Sequence, residues 1–202
     1  MLKPVATFSV LVLFLTLGTS CACSQSSDQY CVITTISGAV TVLPKGSVTW
    51  NEAEVNMQLR EGDRIRTASN SSVVITLFEG SVIELEPDTE VGIKELSMAV
   101  GTGSTTISLE QTIGTTISRV QNLVDTASSY EIATPSAVAA VRGTEYEVEV
   151  LSDNTTMVVV TEGSVLVNAQ GVAVVVNDGE RTTVLPGEPP GTPIAIIERG
   201  GK

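Results

Sequence analysis

Residues 145–150 read Glu-Tyr-Glu-Val-Glu-Val, which sets Tyr146, Val148 and Val150 on one side of an extended chain and Glu145, Glu147 and Glu149 on the other. A period of two is the mark of a strand with one buried face. Similar runs predict strands at 39–43, 73–78, 82–85, 157–161, 165–167 and 172–176. Turn signals stand between them: Glu61-Gly62-Asp63, Glu79-Gly80-Ser81, Glu162-Gly163-Ser164 and Asn177-Asp178-Gly179-Glu180. Glycine supplies positive φ, and Asn or Asp bonds to nearby backbone. The pattern predicts an all-β fold of many short strands, as a β-solenoid-like stack or two related β halves, with a β-sandwich as the alternative.

Weak echoes favour the first two arrangements. Glu79-Gly80-Ser81-Val82 returns as Glu162-Gly163-Ser164-Val165, and Gly62-Asp63-Arg64 as Gly179-Glu180-Arg181. Repeated strand-turn units stack in this way. Residues 97–129 break the pattern. Ile113, Ile117, Val120 and Val124 follow helical spacing, while Gly114 and several threonines oppose a helix. A short helix near 113–125, or strands joined by a loop, both remain open. Beyond Leu185 the chain is rich in Pro and Gly, and proline removes ladder donors. Residues 187–202 therefore read as a tail, in which Ile194-Ala195-Ile196-Ile197 has the composition of a last edge strand.

The N-terminus has a different logic. Lys3 precedes an apolar run from Val5 to Leu17, shorter than the roughly 20 residues of a membrane-spanning helix but suited to a signal peptide. Gly18-Thr19-Ser20 leads into Cys21. Small residues ending at a cysteine resemble the lipobox of bacterial lipoproteins, although Gly18 stands where that family has Leu. The resemblance implies that residues 1–20 are removed and that the Cys21 thiol is diacylated. Ordinary secretion is the alternative. Residues 21–31 read as a tether, and Cys23 and Cys31 have the option of a disulfide in an oxidising compartment.

Composition narrows the function. The 202-residue chain has a net charge of −12 and no histidine. Such acidity speaks against nucleic acid, whose phosphates demand clustered Lys and Arg. Without histidine, Ser-His-Asp and Cys-His catalysis have no base. No spacing predicts a metal site, a calcium loop or a phosphate-binding glycine loop. The sequence thus predicts no enzyme, no catalytic or metal-ligating residues and no cofactor.

Three blocks then fall in a telling order. The first is Leu59-x-x-Gly62-Asp63-x-Ile65-x-Thr67. The second is Ser72-x-x-Ile75-x-Leu77-Phe78-Glu79-Gly80-Ser81. The third runs from Tyr130-Glu131-Ile132-Ala133-Thr134-Pro135-Ser136-Ala137 into Ala140-Val141-Arg142-Gly143-Thr144-Glu145-Tyr146. Together they resemble the FecR domain of bacterial envelope proteins, over residues 32–186. The most telling positions are Gly62, Asp63, Thr134, Pro135, Arg142, Gly143 and Thr144. Founding members of that family join this domain to a cytoplasmic anti-sigma region. Only Met1 to Pro4 precede the apolar run here, so the expectation is the extracytoplasmic part used alone. The resemblance implies contact with another envelope protein, with the oligomeric state left open.

Each block also has a plain physical reading. Thr134-Pro135 enforces an extended entry, Gly143 permits a tight bend, Gly62-Asp63 makes a turn, and Arg142 is expected to pair with a carboxylate. The function expected is a non-catalytic, membrane-anchored envelope module for protein binding, scaffolding or signalling. The alternative is a cell-wall or glycan binder, for which Trp50 is the candidate platform.

Overall fold

The computed structural model describes residues 26–123 and 125–196. Residues 1–20, read as a signal peptide, and Cys21 and Cys23 lie outside them. In chain order the strands are β1 (Ser26–Asp28), β2 (Cys31–Ser37), β3 (Val40–Leu43), β4 (Asn51–Glu52), β5 (Gln58–Leu59), β6 (Arg64–Thr67), β7 (Ser72–Thr76), β8 (Val82–Leu85) and β9 (Glu90–Ala99). There follow β10 (Thr105–Arg119), β11 (Ser129–Ala133), β12 (Val138–Val141), β13 (Glu145–Val150), β14 (Thr156–Glu162), β15 (Ser164–Ala169), β16 (Val172–Asn177), β17 (Glu180–Val184) and β18 (Ile194–Ala195). The fold is all-β. Every strand expected from alternation is present, with shifts at the ends.

The strands form two sheets that share β10. The first runs β4-β3-β6-β9-β10-β11-β12-β15-β16, with β1 beside the far end of β9. The second runs β5-β2-β7-β8-β10-β13-β14-β17-β18. Neither closes into a barrel. Strands before β10 lie on one side of it and strands after it on the other, in both sheets. The body therefore has two β halves. The tetrapeptide echoes do not relate them: Glu79-Gly80-Ser81 closes the β7–β8 hairpin within the second sheet, whereas Glu162-Gly163-Ser164 carries β14 across to β15 in the first.

Alternating burial assigns the faces. Tyr130, Ile132, Val165 and Val167 of the first sheet and Tyr146, Val148, Val158 and Val160 of the second are buried in one core. Polar groups bridge the sheets inside it. Gln111 Nε2 donates to the Val148 carbonyl at 2.9 Å, and the Thr134 and Thr156 hydroxyls meet at 2.8 Å.

The expected helix near 113–125 is not formed. β10 stays extended through Arg119, and the residues after it are irregular. The helical spacing has another origin. Buried positions in β10 are odd from Thr105 to Gln111 and even from Thr116 to Ser118. A strand passing from one sheet to the facing sheet must turn its other side to the core. Residues 112–115 absorb that change, and Ile113 is left exposed.

Three residues make the crossing possible. Gly114 adopts φ +89°, and a Cβ there would lie 2.3 Å from Thr89 Oγ1 and 2.4 Å from Thr89 Cα. Thr89 Oγ1 accepts from the Thr115 amide at 2.8 Å and donates to the Thr115 carbonyl at 3.1 Å, so a side chain replaces a ladder rung. Fully buried Gln111 donates to the Gly114 carbonyl at 2.7 Å and accepts from the Thr116 hydroxyl at 2.7 Å.

One end differs from expectation and the other follows it. Ser26–Asp28, read as tether, pairs with Ser97–Ala99. Backbone pairing needs no apolar side chains, so Ser26 and Ser27 give no sign of it. At the other end, Ile194–Ala195 pairs with Glu180 and Arg181 as the last edge strand.

Substituting Gly114→Ala is expected to destabilise the fold by about 3 kcal/mol, because positive φ and backbone overlap act together. Gln111→Leu is expected to cost a similar ~3 kcal/mol through buried polar groups left unpaired. Urea unfolding followed by circular dichroism measures both, and a loss below about 1 kcal/mol contradicts the crossing mechanism.

Candidate functional site

The positions that stood out in the sequence cluster at turns, most of them joints between the sheets, with Thr134 and Pro135 in a hairpin of the first sheet. Asp63 Oδ1 accepts from the Lys45 amide and Oδ2 from the Arg60 amide, each at 2.8 Å. The Gly62 amide donates to the Ile93 carbonyl at 2.8 Å, and the Ile93 amide to the Asp63 carbonyl at 2.9 Å. This one turn thus ties the loops before β4 and β6 to β9. Thr67 donates to the Glu86 carbonyl at 2.6 Å and accepts from the Thr89 amide at 3.0 Å, which fixes the residue that props the β10 crossing.

Thr134 closes the turn from β11 to β12. Its hydroxyl donates to the Ala137 carbonyl at 3.0 Å and accepts from the Ala137 amide at 2.9 Å, while Pro135 beside it stays exposed. Gly143 has φ +120°, and a Cβ there would sit 2.9 Å from Asn122 Cα. Buried Thr144 donates to the Ser164 carbonyl at 2.9 Å. Arg142 was expected to pair with a carboxylate. Its guanidinium instead donates to the Thr126 carbonyl and adds a favourable field at Asp125. The carboxyl of Asp125 is held low by the Ala127 amide, then by the Ser104 hydroxyl. Main-chain geometry in the 120–128 loop presents Arg142 with a carbonyl, which sequence spacing does not reveal.

Small surface grooves adjoin these joints. A groove of about 390 Å³ lies on the outer face of the first sheet, lined by Glu131, Ala140, Arg142, Ser164, Leu166 and Val175 among others. A second, of about 350 Å³, is bounded by Arg119, Asn122, Gly143, Thr144, Glu145 and Glu162. Arg119 pairs with Glu145 there at 3.1 Å. A third, of about 210 Å³, includes Arg64, Glu110, Thr134 and Pro135. Arg64 spans Glu90 at 2.7 Å and Glu110 at 3.6 Å. Arg142, Gly143, Thr144, Thr134 and Pro135 all line grooves; Gly62 and Asp63 stand apart, at the β6 turn. Sequence reading missed the apolar pair Leu166 and Val175, whose alternation marked them as outward-facing without marking them as neighbours.

The other reactive groups are sealed or engaged. Cys31 has a free thiol, buried, that faces the Leu59 carbonyl at 3.7 Å. Burial pushes it from the ordinary 9.0 up to about 12. Tyr130 and Tyr146 are buried as well, and burial raises both phenols. Trp50 is half-buried, with the Arg66 guanidinium 4.0 Å from its ring centre. The ring named as the candidate platform for the glycan alternative thus carries a cation–π partner. Among the described residues, no three of His, Cys, Asp or Glu are grouped to hold a metal ion.

The geometry defines an all-β module whose signature residues hold its sheets in register. Comparison with known proteins gives the family: residues 63–166 match the FecR protein family, and the chain belongs to it. No curated protein matches the chain. Two crystal structures of a candidate anti-sigma factor from Parabacteroides distasonis ATCC 8503 share the fold, with TM-scores of 0.52 and 0.51 and 20% identity. Each match covers 65% of this chain and 57% of the other, so it spans less than two thirds of that protein.

The hydroxyl of Thr134 is expected to act in folding. Thr134→Val keeps its shape, removes its hydrogen bonds and should cost about 2 kcal/mol in urea unfolding. Cys31 gives a pH test. The unfolded thiol ionises near 9 and the folded one near 12, so stability is unaffected below pH 9 and falls as pH rises from about 9 towards 12. At pH 8, iodoacetamide should leave Cys31 unmodified in the folded chain and alkylate it in urea, as read by peptide mass mapping.

Proposed function

We propose that this chain is a non-catalytic module of the bacterial cell envelope. In this reading it is exported by residues 1–20, anchored by lipid at Cys21, and binds another envelope protein as part of a signalling or scaffolding assembly. The observation that carries the reading is the family match over residues 63–166. The signature residues support it, because Asp63, Thr67, Thr134 and Thr144 spend their hydrogen bonds on the chain's own backbone. What the module offers a partner is then surface shape and charge, not a reactive group. The similar fold in a candidate anti-sigma factor supports the signalling form of this role.

Export and anchoring are checked by intact mass, which should show a diacylated Cys21 at the new N-terminus. Partner binding is checked in living cells with a photo-crosslinking residue at Asn122 or at Glu162. A discrete adduct with one envelope protein is the expected result. Failure of both positions to capture any envelope protein, with the chain correctly exported, counts against the reading. Glycan binding lost in Trp50→Ala would replace it with the cell-wall alternative.

A further inference from the structure

We infer that the turn of the β9–β10 hairpin, Val100 to Gly103, rests on the lipid surface of the membrane that holds this chain. The inference rests on the reading of Cys21 as the acylated N-terminus. What it adds is the direction in which the module stands.

The position of β1 carries the argument. Residues 21–31 read as a tether, but Ser26–Asp28 are already bound into the first sheet. Only five residue steps then separate Cys21 from Ser26, a reach of at most about 18 Å. The direction is fixed as well. β1 runs antiparallel to β9, with Ser26 opposite Ala99 and Asp28 opposite Ser97. The chain therefore enters the sheet from the side of the hairpin turn, and an anchor at Cys21 stays within that reach of the turn.

The turn suits such a contact. The Ala99 amide donates to the Ser104 carbonyl at 2.8 Å as the last rung. Beyond it Val100 is 71% exposed. Gly101 and Gly103, at φ 100° and 73°, have open space where a Cβ would stand. From Leu96 to Leu109 the chain carries no charged residue, although its net charge is −12. Gly, Ser and Thr are at home among hydrated headgroups, and Val100 at their apolar boundary. One apolar side chain suffices, because the anchor makes the contact intramolecular. The nearest carboxylate, Asp125, is engaged by the Ser104 hydroxyl.

The ladders place the remaining features relative to this end. Ile107 pairs with Tyr130, Tyr130 with Val141, Val141 with Val165, and Val165 with Val176. The joints next to that row, Gly143-Thr144 and Gly163-Ser164, stand at the lipid end, with Asn122 beside Gly143. Glu110, Ala133, Val138, Asn168 and Ala173 run across the other end. The turns at Thr134-Pro135 and Gln170-Gly171 thus face away from the lipid. Glu162 and Asp178, near the lipid end, are repelled by anionic headgroups, which confines the contact to the hairpin turn.

Quenching by labelled lipid tests the orientation. The acylated chain, carrying Cys23→Ser, is purified from membranes and returned to vesicles of phosphatidylethanolamine and phosphatidylglycerol that contain a doxyl-labelled lipid. A bimane fluorophore is attached at Val100→Cys or, at the far end, at Val172→Cys. Cys31 is buried and stays unlabelled. Quenching at the first position is expected to exceed that at the second by about threefold or more. Inserting about ten Gly and Ser residues between Gln25 and Ser26 should at least halve it. Equal quenching at both positions, stronger quenching at the far end, or no effect of the insertion overturns the inference and leaves the anchor standing. Intact mass separates the other failure: without an acyl group at Cys21 the premise falls, and the inference with it.

Discussion

The fold depends on a single strand serving two sheets. β10 lies between β9 and β11 in one sheet and between β8 and β13 in the other. Because side chains alternate with a period of two, the strand has to change which of its sides faces the core as it crosses. That change leaves main-chain groups without ladder partners inside the body, where each unpaired group costs on the order of 1–3 kcal/mol. Gln111 and Thr89 supply the missing partners, and Gly114 supplies the backbone conformation. The two halves of the chain keep a common register because both are bonded to β10.

The same economy explains the family signature. Asp63 and Gly62 sit at the entry to β6, Thr67 at its exit, Thr134 between β11 and β12, and Gly143-Thr144 between β12 and β13. Except for Thr134, which closes the β11–β12 hairpin within the first sheet, each is a place where the chain leaves one ladder and enters another, and where amides and carbonyls have no strand partner. Gly163 belongs to the set, since a Cβ there would lie 3.0 Å from the Gly143 carbonyl. Such positions tolerate few residue types for reasons of folding alone. A motif built from them identifies the architecture and stays silent on the partner. The outer faces that carry Leu166 and Val175 lie outside every motif.

Strands with one apolar and one polar side were legible in the sequence; β13 and β15 are examples. β10 was not, although it is the longest strand. The inner side of its second part consists of Thr116 and Ser118, which the Gln111 and Tyr130 side chains accommodate in the core. A polar inner side and a reversal of phase together imitate helical spacing. Arg142 was readable as a residue with a polar partner, but the partner is a carbonyl of a loop whose path no local pattern encodes. The apolar character of 172–176 was visible as well. That this strand ends a sheet follows only from the order of the strands in space.

The two outer faces differ in a way that bears on association. On the second sheet, Glu84 and Glu147 both lie opposite Ile117, and Glu149 follows two residues along the strand. Burial raises the carboxyl of Glu147, and Glu149 and Glu86 raise it further, so that face already carries internal repulsion. Apposing a second such face would add like charges around Glu147, whose carboxyl already resists ionisation. On the first sheet, the rows beyond β11 carry Ala140, Leu166 and Val175, and then Val138, Asn168 and Ala173. These rows hold no charge and end at β16, which among the described residues has a ladder only with β15. Electrostatics therefore distinguishes the two outer faces: the second sheet resists an acidic surface, and the first offers an uncharged stretch between β12 and β16.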